Sequence, residues 1–116
     1  MTDESCLFCR IAAGEIPATI VHSDDEVVAF RDINPQAPTH VLVIPREHIA
    51  SAAELTPAQD PIWGRLLHVA QSIADDEGQT DAGYRLVTNV GRNGGQSVPH
   101  LHLHLLAGRR MTWPPG

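Results

Sequence analysis

The alternation of histidine and leucine in residues 100–105 constrains the fold of this chain more than any other feature. The segment reads His100-Leu101-His102-Leu103-His104-Leu105. Successive side chains of a β-strand point to opposite faces, so a strand here places three imidazoles on one face and three leucines on the other. Neighbours on the same face are then roughly 6.5–7 Å apart. The pattern predicts a strand with one face in the core and one reactive face.

Three imidazoles in such a small volume favour nucleophilic or acid–base chemistry near neutral pH. Neutral imidazole is both a nucleophile and a base in this range. Because like charges at this separation disfavour simultaneous protonation, we expect at least one ring to be uncharged. Two other interpretations stay open. One is a transition-metal site, because His-x-His also supplies metal ligands, and the other is an exposed polar face of the sheet. The additional histidines His40 and His48 argue against the polar face.

The size and charge of the chain exclude several classes of function. Its 116 residues predict a single domain over residues 1–116. Eight Lys and Arg against 14 Asp and Glu give a net charge of -6, which disfavours binding to the backbone of a nucleic-acid polymer. A small phosphorylated ligand held by backbone N–H groups remains compatible with this charge. No apolar run reaches the roughly 18 residues of a membrane span, and the N-terminus is acidic, so we expect a cytoplasmic protein that does not bind membranes.

The first half of the chain reads as one short helix and three strands. Leu7, Phe8, Ile11 and Ala12 have helical spacing and are followed by Gly14 as a stop signal, which predicts a short helix directly after the first cysteine. The segments 19–22 and 26–31 are rich in β-branched residues and predict a hairpin. Residues 32–40 contain two prolines and predict a loop. The apolar run 41–44 that follows predicts a buried central strand, ended by Pro45.

The second half predicts one long helix and two further strands. The helix falls within residues 54–78, and a turn from Thr56 should precede it, with Asp60 as its cap and Pro61 as its first residue. A strand over residues 84–90 and a glycine-rich loop over 91–95 lead to the histidine segment. Hairpin-connected strands with one long helix indicate the α+β class on an antiparallel sheet.

Two short motifs add candidate chemistry. Cys6-x-x-Cys9 reads as half of a tetrahedral zinc site that two histidines from elsewhere would complete, although a redox pair or free thiols stay open. The segment Gly94-Gly95-Gln96-Ser97 can bring backbone N–H groups and a hydroxyl close to an anion. Its position just before the histidines makes it a candidate for stabilising negative charge during a reaction.

The remaining histidines and acidic clusters are interpreted as structural. His22 and His68 occupy ordinary surface or amphipathic positions. The acidic runs 24–26 and 75–77 are typical of solvated turn and helix-end charges.

These motifs together resemble the histidine-triad (HIT) family over nearly the whole chain. The segments that carry the resemblance are residues 6–10, 32–45, 95–98 and 100–104, and the ending Trp113-Pro114-Pro115-Gly116 is similar to that of the nucleotide-binding branch of the family. That branch hydrolyses purine nucleoside phosphoramidates, in which AMP is joined through nitrogen to an amine or lysine. The resemblance therefore implies a nucleotide hydrolase acting on P–N bonds. The alternatives are a dinucleoside polyphosphate hydrolase and a nucleotide-binding regulatory module with little catalysis.

The resemblance also implies roles for individual residues. His102 matches the nucleophile, His104 a residue that contacts phosphate and ribose, and His40 a buried partner in the proton network. Ser97 joins these three as a candidate catalytic residue. The nucleotide-binding positions are Phe8, Asp32, Ile33, Asn89, Gly95, Gln96 and Ser97, together with His102 and His104.

The family resemblance extends to the metal and the assembly. Zinc-bearing bacterial members complete the cysteine pair with histidines that match His48 and His100, so a structural zinc on Cys6, Cys9, His48 and His100 is expected, and the chemistry itself needs no cofactor. The implied fold is a five-stranded antiparallel sheet with one long and one short helix. Members of this type form homodimers with a continuous ten-stranded sheet, and a tail like that around Trp113 approaches the partner's site. Pro99 departs from relatives that carry an aromatic residue there.

Overall fold

Five antiparallel strands form one sheet in the computed structural model, which describes residues 5–116. The strands are Ile20–Ser23 (β1), Val27–Arg31 (β2), Thr39–Pro45 (β3), Tyr84–Val87 (β4) and Leu103–Ala107 (β5). Their order across the sheet is β1-β2-β3-β5-β4. The helices are Leu7–Ala12 (α1) and Asp60–Asp76 (α2), and two single 3₁₀ turns cover Ala52–Glu54 and Pro57–Gln59. The predicted α+β class and five-stranded antiparallel sheet are confirmed.

The sheet has a separate core on each face, and the histidine–leucine alternation divides between them as predicted. Leu101, Leu103 and Leu105 are buried in the core that the sheet forms with α2. On the opposite face, residues of α1 pack on β2 and β3 around Phe8 and Phe30, whose ring centroids are 5.4 Å apart. The three imidazoles lie on this second face, since His100 contacts the cysteines of α1 and His102 contacts Phe8.

The start of α2 follows the predicted turn and helix with a shift of one residue. The backbone N–H of Thr56 donates to Gln59 Oε1 at 2.9 Å, which holds the 3₁₀ turn together. The helix then begins at Asp60 with Gln59 in the capping position, so the prediction of Asp60 as the cap is wrong. Pro61 still lies in the first turn, where its missing N–H costs no helical hydrogen bond.

Three boundaries around the histidine segment differ from the prediction, and all three follow from where β5 finds partners. β5 begins at Leu103 and not at His100 as predicted. The Leu101 N–H donates to the Ile49 carbonyl oxygen and not to β3, and Pro45, at the end of β3, has no N–H to donate to β5. β3 begins two residues earlier than predicted, since Thr39 pairs with Ala107. β4 ends at Val87, which pairs with His104, and the Thr88 hydroxyl bonds the His102 carbonyl beyond it.

Two acidic residues interpreted as solvated are in fact paired. Glu77 accepts two hydrogen bonds from the Arg31 guanidinium, at 3.1 and 2.7 Å, and one from the Thr39 hydroxyl. Asp24 accepts from the backbone N–H groups of the β1–β2 turn and lies 2.6 Å from His22 Nε2 and 2.9 Å from Arg65. The sequence pattern placed them correctly at a helix end and a turn, but the partners come from distant segments.

In residues 5–116, neither helix combines the length and the hydropathy needed to cross a bilayer.

Candidate active site

The hydrogen bonds of His102 fix which of its nitrogens carries the proton. His102 Nδ1 lies 2.7 Å from the backbone carbonyl oxygen of His100. Because a carbonyl can only accept, Nδ1 must be the protonated nitrogen of the neutral ring. When the ring is neutral, Nε2 is therefore left with a lone pair. The ring is 4% exposed and packs edge-on against Phe8 with centroids 5.1 Å apart, which fixes its orientation.

His40 and His104 form a second, linked pair of rings. The backbone N–H of Gln36 donates to His40 Nδ1 at 3.0 Å, so the His40 proton is on Nε2. That Nε2–H donates to His104 Nδ1 at 2.9 Å, with Asp32 Oδ2 3.5 Å away from it. His104 consequently carries its own proton on Nε2. The ring of His104 is 5.0 Å from that of His102 between centroids, so a donor and a lone pair share one site.

Burial keeps these rings neutral. It lowers the pKa of His104 to about 4, and the neighbouring His102 and His40 add to this effect while Asp32 opposes it. Burial also lowers the pKa of His40, and the Asp32 carboxylate again works in the opposite direction. Both rings are therefore uncharged at neutral pH.

An apolar cavity opens beside His102 and His104. Its volume is about 290 Å³, and α1, β2 and the loop after Gly95 all contribute to its walls. Its lining includes four residues that the family resemblance assigned to nucleotide binding, Phe8, Asp32, Ile33 and Ser97. The other lining residues are Leu7, Ile11, Ile16, Pro17, Ala18, Phe30, Arg31, Leu42 and Val98. The Ile33 side chain is fully exposed at the rim, and Asp32 accepts from the Asn34 N–H at 2.8 Å. The cavity thus combines apolar walls with one carboxylate and two imidazoles, which is typical of a small-molecule site.

Two positions of the glycine-rich loop beside the histidines require glycine. A Cβ on Gly94 would overlap the Val90 carbonyl oxygen, and Gly95 has a positive φ of +76°. The Gln96 side chain ties this loop to its surroundings, because it accepts from the Gly91 N–H and donates to the carbonyls of Ala50 and Val98. Ser97 follows directly and reaches the cavity.

A second cluster lies next to the triad on the same face. Cys6, Cys9, His48 and His100 place one ligand atom each within 4.8 Å of one another. Cys6 Sγ is 3.2 Å from His100 Nδ1, and Cys9 Sγ is 3.2 Å from His48 Nδ1. His100 Nε2 donates to the Pro45 carbonyl at 2.9 Å, so its Nδ1 lone pair faces the sulfurs.

The donor set of this cluster fits a tetrahedral zinc ion. Two thiols and two imidazoles are the ligands zinc prefers in structural sites, and a backbone carbonyl orienting the far nitrogen of a ligating histidine is a usual support. Burial raises the pKa of the Cys6 thiol and lowers that of His100 to about 4. A cation would therefore replace the thiol protons and meet an imidazole that is already neutral.

A protein-family model described as the HIT domain matches residues 13–111. The chain belongs to the HIT family. Two curated relatives of this HIT chain carry informative names. A protein of Escherichia coli K12 called purine nucleoside phosphoramidase is 48% identical over 106 residues, which cover 91% of this chain and 89% of that protein. A maize (Zea mays) protein called 14 kDa zinc-binding protein is 49% identical over 118 residues, which cover all of this chain and 91% of that protein.

A solved structure places the fold within the same family. The crystal structure of a HIT family hydrolase from Legionella pneumophila superposes on this HIT chain with a TM-score of 0.94 at 55% identity. The alignment covers 96% of this chain and 99% of that one. The agreement over nearly the full length of both chains confirms the HIT fold.

The HIT site contains most of the residues that the sequence singled out, with three exceptions, Gly95, Gln96 and Asn89. Gly95 is in the loop that leads to Ser97 but does not line the cavity. Asn89 does not line the cavity beside His102. It donates to the Gly94 carbonyl at 2.6 Å and lies in a second cavity on the other side of His104. The Gln96 side chain is engaged within the loop, as described above, and is not directed at the histidines.

Sequence reasoning missed the apolar walls of the HIT cavity and the support of His40. Leu7 and Ile11 lie four residues apart on one side of α1, a spacing that predicted a helix but not a wall of the site. Gln36 acts through its backbone N–H, and Arg109 in turn donates to the Gln36 carbonyl at 2.8 Å. Backbone contacts of this kind leave no pattern of side-chain types in a sequence.

Proposed function

We propose that this nucleotide hydrolase cleaves the P–N bond of purine nucleoside phosphoramidates through a nucleotidyl-histidine intermediate on His102. The observation that carries the proposal is the pairing of His102 Nδ1 with the His100 carbonyl at 2.7 Å. In the neutral ring, this bond leaves the lone pair on His102 Nε2. That nitrogen lies beside an apolar cavity and near the protonated Nε2 of His104. The name of the Escherichia coli relative, purine nucleoside phosphoramidase, supports the same substrate class.

The nucleoside is proposed to occupy the cavity beside His102. Phe8 and Ile33 offer apolar surface to the flat faces of a purine, and Asp32 can accept hydrogen bonds from ribose hydroxyls. The phosphoryl group would then lie at the histidines, next to the backbone of Gly95 and the hydroxyl of Ser97. Donors already in place at this end stabilise the charge that develops on the equatorial oxygens.

The reaction takes place in two steps, and each is a displacement at phosphorus. In the first, His102 Nε2 forms a bond to the phosphorus as the P–N bond breaks, and the departing nitrogen takes a proton from solvent by way of the Ser97 hydroxyl. The Nδ1–H bond to the His100 carbonyl stabilises the resulting cationic phosphorylated ring. In the second step, water attacks the phosphorus, Nε2 leaves with its electron pair, and one proton returns to solvent. Splitting one difficult displacement into two lowers the barrier of each.

Zinc is proposed to hold the neighbouring cluster together and to take no part in this chemistry. Cys6, Cys9, His48 and His100 would bind it, and it would supply a cross-link between α1 and the segments around β3 and β5. Since His100 also provides the carbonyl that fixes the His102 proton, the metal would support the nucleophile indirectly.

A homodimer in the cytoplasm completes the proposal. β4 is at the edge of the sheet, so its outer backbone groups are available to pair with a second copy and extend the sheet to ten strands. Trp113 is 84% exposed, which suits a contact with the partner's site. A reducing compartment would keep the two thiols available to zinc.

The test is the variant His102→Ala, assayed with an adenosine phosphoramidate. We expect it to abolish turnover while AMP binding, measured by calorimetry, stays within a few fold of wild type, because the apolar cavity is kept. His68→Ala removes an exposed histidine of α2 and should retain turnover. Retained turnover in His102→Ala would refute the assignment.

The same preparation distinguishes the two alternatives. A higher kcat/KM for a dinucleoside polyphosphate than for the phosphoramidate would identify a polyphosphate hydrolase. Tight AMP binding without turnover of either substrate would identify a regulatory module.

A further inference from the structure

A second cavity adjoins the site on the other side of His104. It has a volume of about 270 Å³, and its lining includes His40, Arg85, Asn89, His104 and Arg109. His104 is the one residue of the described chain that lines both this cavity and the cavity beside His102. Both cavities therefore border His104, on different sides of its ring.

Two arginines give the second cavity a positive charge that no carboxylate of the described residues neutralises. The ion pairs of arginine within residues 5–116 join Arg10, Arg31 and Arg65 to acidic partners. Arg85 instead donates to the Thr112 carbonyl at 2.9 Å, and Arg109 donates to the carbonyls of Gln36 and Arg110. Carbonyl contacts position a guanidinium but leave its charge without a carboxylate partner.

The geometry of the proposed reaction assigns a part of the substrate to this cavity. The nucleoside fills the apolar cavity, and in-line displacement at phosphorus puts the leaving group opposite the attacking nitrogen. His102 lines the first cavity but not the second. The leaving amine, directed away from His102, is thus the part of the substrate that can reach Arg85.

We propose that the second cavity binds a carboxylate carried by the leaving amine, so that the preferred substrates are nucleoside phosphoramidates of amino acids with a free carboxyl group. This inference rests on the proposed function, because it names the leaving group of that reaction. A guanidinium presents parallel N–H groups that match the two oxygens of a carboxylate. Asn89 lines the same cavity and can add a neutral hydrogen bond.

Two substrates that differ only in this charge test the proposal on the full-length protein. One is AMP joined through nitrogen to glycine, and the other is AMP joined to glycinamide. We expect wild-type kcat/KM to favour the glycine compound about tenfold, the range of a charge-assisted hydrogen bond. Arg85→Gln should bring this ratio close to one. Arg110→Gln, which removes a neighbouring arginine that does not line the cavity, should leave the ratio as in wild type.

Salt gives a second measurement that needs no variant. If an exposed charge pair sets the preference, the wild-type ratio should fall as sodium chloride rises from low to physiological concentration and above. A wild-type ratio near one, or a ratio that Arg85→Gln leaves unchanged, would overturn the proposal. Hydrolysis of neither compound would instead show that the proposed phosphoramidase function has failed.

Discussion

The buried neutral ring of His104 predicts a specific loss of stability in acid. An ordinary histidine has a pKa of 6.5, whereas that of His104 in the fold is lowered to about 4, chiefly by burial. At ~1.4 kcal/mol per pH unit, the difference is worth about 3 kcal/mol. The groups that face the ring are His102 and His40, which oppose its protonation, and Asp32, which favours it.

The direction follows from which state takes up the proton first. As pH falls below 6.5 the unfolded chain is protonated at this position while the folded chain is not, so protons favour unfolding. The contribution is complete above about pH 6.5 and is lost progressively as pH falls to about 4. His104→Asn, which cannot take up the proton, should remove this part of the pH dependence.

Denaturant unfolding between pH 7.5 and 4 measures the effect. The free energy of unfolding of wild type should fall by about 3 kcal/mol more than that of His104→Asn over this range. Both proteins retain the Cys/His cluster, so its own acid sensitivity cancels in the comparison. His68→Asn, an exposed histidine in α2, should behave as wild type. Equal pH slopes for wild type and His104→Asn would refute the reasoning.

Three further predictions concern packing, an ion pair and the metal. Leu105 is 0% exposed, so Leu105→Ala should lower the free energy of unfolding by about 3 kcal/mol, whereas Leu67→Ala, at 37% exposure, should lower it by less than ~1 kcal/mol. Equal losses in urea unfolding would contradict the assigned faces. Glu77→Gln should cost only about 1 kcal/mol at pH 7, because its partner Arg31 is 40% exposed. Urea unfolding at a series of acidic pH values should show this difference shrinking as pH falls through the lowered pKa of Glu77, and a difference that does not shrink in acid would exclude the ion pair as its cause. Elemental analysis should find about one zinc per chain in wild type and none in the Cys6→Ser, Cys9→Ser double variant. The double variant should also unfold at a lower temperature, and zinc retained by it would contradict the assigned ligands.

Patterns that depend on side-chain periodicity could be predicted from the sequence. The alternation in residues 100–105 placed Leu101, Leu103 and Leu105 in the core with α2 and the three imidazoles on the other face. The prediction of the two faces is correct although β5 begins only at Leu103. An extended segment alternates its side chains between two faces whether or not its backbone is hydrogen-bonded to a neighbouring strand.

Features that depend on distant partners could not be predicted. Nothing around Glu77 indicates that Arg31 and Thr39 would reach it, and nothing at Gln36 indicates that its N–H would set the proton position of His40. The second cavity is likewise formed only when Arg85 and Arg109 meet at His104, since they come from different segments.

The stereochemical course at phosphorus tests the central claim most directly, namely that His102 Nε2 attacks the substrate and carries the nucleotide. A substrate made chiral at phosphorus by one sulfur, joined through nitrogen to an amine, would be hydrolysed in isotopically labelled water and the configuration of the product determined. Two successive in-line displacements, first by His102 and then by water, predict net retention. Net inversion would mean that water attacks the substrate directly and that no nucleotidyl-histidine forms.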